Sequence, residues 1–413
     1  MRNMRNTIPY AEILGIKPPW LISDVQVSHP AQDVRISIVM DENAPVFCPE
    51  CGKSGSRYGT NRREWRHLDT CQYQTILIGD IPRVDCPDHG VRQISVPWAE
   101  EGSRYTVLFE KLVIDWLLDA TTSAVAEHMG LGWDAVDGIK ARAVARGLKR
   151  RTLAVPKNVC IDETSYRKGH QYLTIIGDRD TGAVHHVAID RKEESVNAYW
   201  ESLPNGALSA VESVTMDFWK AFIASVKKYV PDAENRICFD RFHVAGYFGD
   251  AVDDVRKEEN RELMEEGDAT LKGTKHEWLR NSQKMDNRGR RWFFTLAHSA
   301  LKTARAWAMK EIAAQLWDYL QLGRVANGWK RLLTWMRKSR LKPMIDLAET
   351  IQSHLWGILN AIRLRASNGN AEGINSRIQK LKKMACGYRS PERFRIDILF
   401  HLGKLDLSPG TPT

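Results

Sequence analysis

Asn158-Val-Cys-Ile161-Asp162-Glu163, Gln171-Tyr-Leu-Thr-Ile-Ile176, Ala183-Val-His-His-Val-Ala-Ile189 and Val211-Glu-Ser-Val-Thr-Met216-Asp217 are the runs that decide the fold. The first three are short and rich in β-branched and aromatic residues, and the loop Gly177-Asp-Arg-Asp-Thr-Gly182 between the second and third predicts a meander. A helix-like segment over 195–203 precedes the fourth run, which closes on Asp217 and continues as Phe218-Trp219-Lys220. A helix over 219–229 follows, and a fifth strand, Arg236-Ile-Cys-Phe239, runs into Asp240-Arg-Phe-His243. The first and fourth strands thus carry an aspartate at or just past the apolar run.

Working outward, 413 residues predict roughly two to four domains. A hydrophobic content of 43% and 14 tryptophans exclude a disordered chain. No run approaches the ~18 apolar residues of a membrane span. The basic start Met1-Arg-Asn-Met-Arg5 is not followed by the apolar segment of a signal peptide, so a cytosolic protein is expected. Seven mostly scattered cysteines fit a reducing compartment better than a disulfide framework. The net charge of +9 is unevenly placed: residues 1–151 are neutral, 152–240 carry −3, 241–367 carry +8 and 368–413 carry +4. A carboxylate-collecting sheet followed by basic segments is what a site for phosphodiesters needs, although an ordinary mildly basic protein has the same total.

Upstream, an alternating strand Val34-Arg-Ile36-Ser-Ile38 precedes two corners, Cys48-Pro-Glu-Cys51-Gly52 and Cys86-Pro-Asp-His89-Gly90, separated by strand-like pieces over 73–78 and 82–84. Cys48, Cys51, Cys86 and His89 supply four tetrahedral ligands, the set that one structural zinc ion requires. The alternative is two unrelated turns with buried thiols. Cys71 sits in no such corner and reads as an ordinary half-buried cysteine.

Residues 105–150 are helical by period. Ala126, Gly130, Val136 and Ile139 have helix-turn-helix spacing, with the second helix starting near Trp133. Its outward residues include Asp134, Asp137, Lys140 and Arg142, a set that is not strongly basic, so DNA contact competes with a plain packing role. The linker Lys149-Arg150-Arg151 follows. From 241 to 365 the chain reads as helices and carries seven of the 14 tryptophans, with basic clusters at Arg288, Arg290 and Arg291 and at Arg337, Lys338, Arg340 and Lys342 that lie along DNA or form solvated faces. In the late segment Asn368-Gly-Asn-Ala-Glu372-Gly-Ile-Asn375, Glu372 lies off the stripe Ile374, Ile378, Leu381 and Ala385 that faces the sheet.

In this order, the zinc corners, the helix-turn-helix, Ile161-Asp-Glu, Met216-Asp-Phe-Trp, Asp-Arg-Phe-His, the helical stretch and Asn-x-x-x-Glu-Gly-x-Asn with Gly387-Tyr-Arg resemble the ISL-three type of bacterial insertion-sequence transposase, a DDE transposase, over nearly the whole chain. The second zinc corner departs from the usual pattern by ending in His89 where Cys is more common, a change that tetrahedral zinc tolerates. The resemblance implies an α+β multidomain fold. It comprises an N-terminal segment (1–46), a zinc-knuckle β domain (47–98), a helix-turn-helix (104–151), and a ribonuclease-H-like catalytic core (152–240 and 366–413) interrupted by an all-helical insertion (241–365).

The same resemblance implies that Asp162, Asp217 and Glu372 are the catalytic carboxylates, holding two Mg²⁺ ions, with Mn²⁺ as a substitute, for end cleavage and strand transfer. Asp240 and His243 are expected to support catalysis or to form a structural Asp–His pair, and Glu163 to point to the opposite face as a structural residue. Expected partners are double-stranded DNA, as terminal inverted repeats and target, and a second copy in a homodimer or higher oligomer. DNA contacts are expected from Lys140, Arg142, Lys149, Arg150, Arg151, Arg288, Arg290, Arg291, Lys380, Lys382, Lys383 and Arg389. A catalytically silent DNA-binding regulator and a purely hydrolytic nuclease are the competing readings.

Overall fold

The computed structural model describes residues 10–152, 154–167, 171–204, 206–280, 293–299, 301–319, 321–366 and 369–410, with 369–372 in backbone only. The chain divides into two compact units, one formed by residues 1–151 and 405–413 and the other by residues 152–404.

The first unit is built on a six-stranded sheet of β1 (Trp20–Ser28), β2 (Asp33–Met40), β3 (Val46–Phe47), β4 (Ser54–Thr70), β5 (Tyr73–Cys86) and β6 (Gly90–Gln93). The order is β1-β2-β5-β4-β3, with β6 on β5. The two pieces expected over 73–78 and 82–84 are one long strand. It continues through Pro82 because the register against β4 shifts between Arg57 and Thr60, relieving the demand for a ladder donor there. Ile36, Ile38, Leu77, Ile81 and Val84 are buried in one core cluster, and Trp20 and Trp65 pack edge-on against Trp98 at 4.9 and 5.5 Å.

Three helices follow, α1 (Val107–Asp119), α2 (Thr122–Met129) and α3 (Trp133–Arg150). Thr106 and Thr121 cap the first two through their hydroxyls, and Gly130 ends α2 at φ +64°, a left-handed conformation that favours glycine. Val136 and Ile139 are fully buried, as the helix-turn-helix spacing requires, and Ala126 is nearly so. The end of the chain returns to this unit. Arg150 donates to Asp406 (3.1 Å) and to the Ser408 carbonyl (2.6 Å), and Leu405 lies so close to Gly147 that a Cβ there would meet it at 2.6 Å.

The second unit holds a five-stranded sheet of β7 (Asn158–Arg167), β8 (Gln171–Asp178), β9 (Ala183–Ile189), β10 (Ser213–Met216) and β11 (Ile237–Phe239), ordered β11-β10-β7-β8-β9. β7, β8 and β9 form the antiparallel meander, while β10 and β11 run parallel to β7. Between them lie α4 (Glu193–Glu201), α5 (Lys220–Tyr229) and the single turn α6 (Ala233–Arg236). Val159, Ile161, Val214, Met216, Ile237 and Phe239 share a core with Val196, Trp200, Phe222 and Val226. On the other face a Cβ on Gly177 would meet both Ile374 of α12 (Gly369–Met384) and Cys160, and α13 (Pro391–Leu402) is tied to β9 by Arg395 and the Val187 carbonyl. Ile374 and Ile378 are buried as expected, but Ala385 lies beyond the helix end and is exposed.

Among the described residues, 241–365 contain helices and no strand: α7 (Arg241–Glu265), α8 (Lys275–Leu279), α9 (Lys302–Leu316), α10 (Leu322–Lys338) and α11 (Lys342–Arg363). Trp278 and Trp329 are fully buried among them. α11 is pinned to β11 by Asn360, which donates to the Ile237 carbonyl at 3.0 Å, and by Gly357, against which the Phe239 ring packs. No helix among the described residues is long and apolar enough to cross a membrane.

Two outcomes are expected. Gly357→Ala places a Cβ 2.5 Å from the Phe239 ring, and thermal unfolding should register a loss of about 1–3 kcal/mol. In the first unit, burial and then the Arg66 charge lower the His67 imidazole to about 4, while its Nδ1 sits 2.9 Å from the Thr106 hydroxyl that caps α1. The unfolded chain then binds the extra proton between pH 6.5 and 4, so stability should fall as pH drops through that window and level off below it. Urea titrations of His67→Gln should show a flatter slope over the same range.

Candidate active site and metal centre

Strand pairing determines where the aspartates fall. β10 pairs with β7 as Ser213 with Asn158, Val214 with Val159 and Thr215 with Cys160; β11 pairs with β10 as Val214 with Ile237 and Met216 with Phe239. Continuing both registers puts Asp217 opposite Asp162 and Asp240 opposite Asp217. All three occupy one row, on the face opposite Val159, Ile161, Val214 and Phe239. Ligands of open sheets gather at such carboxyl ends of parallel strands.

One imidazole joins the row. His243, in the first turn of α7, has Nε2 at 3.7 Å from Asp162 and 3.8 Å from Asp240, and Nδ1 at 3.9 Å from Asp217. Each acid also receives neutral donors. Asp162 accepts from the Glu163 amide (2.7 Å) and from the Asn375 side-chain amide of α12. Asp217 accepts from the Phe218 amide (2.6 Å) and the Tyr247 hydroxyl (2.7 Å). Asp240 caps α7 through the Phe242 amide at 2.7 Å. Among the described residues no Lys or Arg pairs with Asp162 or Asp217. Burial, followed by the Asp217 hydrogen bond, raises the Tyr247 phenol far above its ordinary value, so it remains a donor. Glu163 lies on the other face, paired with Arg191 at 3.3 Å, and burial raises its carboxyl despite that partner.

Glu372 lies on α12, one turn before Asn375; its side chain is outside the described residues. Tyr247 and Asn375 were not singled out by the sequence reading as site residues. The i, i+4 spacing of His243 and Tyr247, and of Asn375 three residues after Glu372, are the signals that point to them. A row of carboxylates with neutral donors, and among the described residues no Lys or Arg on Asp162 or Asp217, offers the oxygen donors that a hard divalent cation such as Mg²⁺ takes.

In the first unit Cys48, Cys51, Cys86 and His89 converge, their ligand atoms all within 4.8 Å of one another. Cys51–Cys86 and Cys86–His89 separations are 3.6 Å and Cys48–His89 is 3.7 Å. Four ligands about 2.1–2.3 Å from a single ion are separated by roughly 3.5–3.8 Å, so the set fits tetrahedral zinc. Glu50 lies 3.6 Å from His89 Nε2 and is itself held by Arg92 at 2.5 Å, which leaves Nδ1 for the ion. Burial opposes ionisation of the Cys86 thiol, but hydrogen bonds from His89 and from the Asp88 and His89 amides outweigh it and bring the thiol down to about 6.

The expected DNA contacts divide. Lys140 is 3% exposed, with its ammonium on the Thr122 hydroxyl (3.0 Å) and Asp137 (3.4 Å). Arg142 donates to Glu110, which is 1% exposed, at 2.5 Å. Lys382 donates to the Ser165 carbonyl at 2.6 Å, and Arg150 is held by the tail. Lys149, Lys380, Lys383 and Arg389 are exposed, and Arg151 is half-buried. Arg288, Arg290 and Arg291 lie outside the described residues.

Sequence comparisons place these features in a class, the transposases. A family model described as "Transposase" matches residues 159–398, one for the helix-turn-helix domain of transposase family ISL3 matches 94–144, and one for the zinc-finger of transposase IS204/IS1001/IS1096/IS1165 matches 44–89. The chain belongs to the ISL3 family of transposases. It is similar to the transposase for insertion sequence element IS1557 of Mycobacterium tuberculosis, 26% identical over 99% of this chain and 97% of the relative. It is also similar to the transposase for insertion sequence element IS1001 of Bordetella parapertussis, 25% identical over 88% and 90% of the two chains. The helix-turn-helix and transposase domains imply DNA binding.

The Cys3His geometry carries its own test. Purified protein should contain one zinc per chain by elemental analysis, and Cys51→Ser should lose most of it. A metal-free wild-type protein with unchanged thermal stability would refute the assignment.

Proposed function

We propose that this transposase works as a DDE enzyme on a ribonuclease-H-like core. Asp162 and Asp217 would hold the Mg²⁺ ions, Glu372 on α12 would complete the set, and Asp240 and His243 would support it. The observation that carries this reading is the register row, in which three aspartates from adjacent parallel strands share one face and one imidazole. When bound, a pair of Mg²⁺ ions supplies Lewis-acid activation of the attacking oxygen and stabilisation of the leaving 3′ oxygen. The chain's own part is positioning. Asn375 and Tyr247 hold the two carboxylates by neutral hydrogen bonds, so their full negative charge is available to cations.

The function is then binding of the element's terminal inverted repeats, hydrolytic exposure of a 3′-OH at each end, and in-line attack of that hydroxyl on target DNA, with no covalent enzyme intermediate. Cys48, Cys51, Cys86 and His89 would keep one structural zinc. The zinc and helix-turn-helix modules, with Lys149 and Arg151 following, would read the ends, while Lys380, Lys383 and Arg389 would meet phosphates near the catalytic face. Joining two ends calls for at least a dimer.

Glu372→Gln should lower both cleavage and joining by roughly a thousandfold or more while end binding persists, because a ligand charge is removed while the size of the side chain is kept. Glu163→Gln, on the opposite face, should retain substantial activity. A strand-transfer assay on labelled element ends also separates the competitors, since a regulator only binds and a nuclease cuts without joining. Normal cutting by Glu372→Gln in Mg²⁺ would move the third carboxylate elsewhere. Glu392, paired with Arg395 at 2.7 Å, and Asp397, which accepts from Tyr388 at 2.6 Å, are the acids to try next.

A further inference from the structure

Asp217 presents its two oxygens differently. Oδ1 accepts both the Phe218 amide, at 2.6 Å, and the Tyr247 hydroxyl, at 2.7 Å. Oδ2 is directed to His243 Nδ1 at 3.9 Å, and so toward the row of acids. The amide bond is local and comes with the backbone. The hydroxyl comes from α7, thirty residues on, and depends on tertiary packing.

That packing is a stack of three rings. Phe218, the residue after Asp217, lies parallel to Tyr247 (5.2 Å between centroids, 14° between planes) and to His354 of α11 (4.3 Å, 13°). Phe239 closes the stack edge-on, 4.8 Å from Phe218 and 5.3 Å from His354. Two helices of the 241–365 block therefore grip the residue beside the second carboxylate. Rings stacked in this way restrict rotation of the Tyr247 side chain, so its hydroxyl is delivered to one oxygen at low entropic cost.

We propose that Tyr247 is the positioning residue of the active site, fixing Asp217 by its hydroxyl in the rotamer that turns Oδ2 to the cation, with the Tyr247–Phe218–His354 stack as its support. This rests on the reading of Asp217 as a metal ligand. It gives the helical block a defined part in catalysis: α7 and α11 set the geometry of a ligand just past the end of β10. Loss of a group that orients a metal ligand typically costs about 10–100-fold in metal affinity or activity.

The test uses the full-length protein and a labelled duplex carrying one end of the element, with cleavage rates measured across a Mg²⁺ titration. Tyr247→Phe keeps the ring and removes the hydroxyl. Its half-saturating Mg²⁺ should rise about tenfold or more, with much of the rate recovered at high Mg²⁺ and with end binding and thermal midpoint unchanged. A purely structural tyrosine would move the midpoint and leave the Mg²⁺ dependence alone. His354→Leu, which leaves hydroxyl and carboxylate in place but removes the third ring, should shift the Mg²⁺ dependence in the same direction by less, and it carries the test if Tyr247→Phe fails to fold. Wild-type Mg²⁺ dependence in the folded variants overturns the proposal. Asp217→Asn separates the two levels: if it cuts normally, the reading of Asp217 itself has failed, whereas an inactive Asp217→Asn beside a Tyr247→Phe of wild-type Mg²⁺ dependence removes only the positioning role.

Discussion

Three like charges held in one row are the constraint on which the second unit depends. Two carboxylates about 5 Å apart repel by roughly 3 kcal/mol at an effective dielectric constant near 20, and here three of them share a face. Folding can impose this only because the opposite face is buried. Val159, Ile161, Val214, Met216, Ile237 and Phe239 lock the register of β7, β10 and β11, and a slip of one residue would turn all of them to the wrong side. The hydrophobic core thus brings the acids together against their repulsion. His243 and the amide, hydroxyl and backbone donors around the row reduce that repulsion without cancelling the charge.

That arrangement explains how much of the site was legible in the sequence. A strand's period is two, so an apolar run that ends on an acid announces both the strand and the position of the acid, as in Met216-Asp217 and Phe239-Asp240. Cys-x-x-Cys and Cys-x-x-His corners are local in the same sense, and the structure brings all four ligands together. What escaped is tertiary. Tyr247 and Asn375 gain their meaning from which helix faces meet the sheet, and their local spacing marks them only as helix neighbours of His243 and Glu372. β4 escaped for a different reason. Its first half is charged, polar and exposed, and pairing with β5, not its own apolar content, makes it a strand.

The expectations for DNA contact show a further limit of reading charge by composition. Lys140 and Arg142 look like outward cations of a recognition helix, yet their partners, Asp137 and Glu110, are supplied by the same unit. Arg146 is likewise held by Glu100 and Glu110, and Arg150 by Asp406. A buried carboxylate such as Glu110 requires such partners, because an unpaired charge in that position would cost several kcal/mol. These arginines therefore stabilise the module from within.

The neutral net charge of residues 1–151 then has a structural meaning. Several of its basic side chains, Arg66, Lys140, Arg142 and Arg146 among them, pair with acids of the same unit, and a helix with Trp133 and Asp134 exposed at its start would gain little from counterion release on DNA. On the proposed function, affinity would then come from the excess positive charge that the chain carries after residue 240, while the first unit would contribute shape and base contacts. Recognition and attraction would thereby be divided between separate parts of the chain. Salt should therefore weaken binding to any DNA far more than it weakens the preference for the element's own ends, since only the phosphate contacts release counterions.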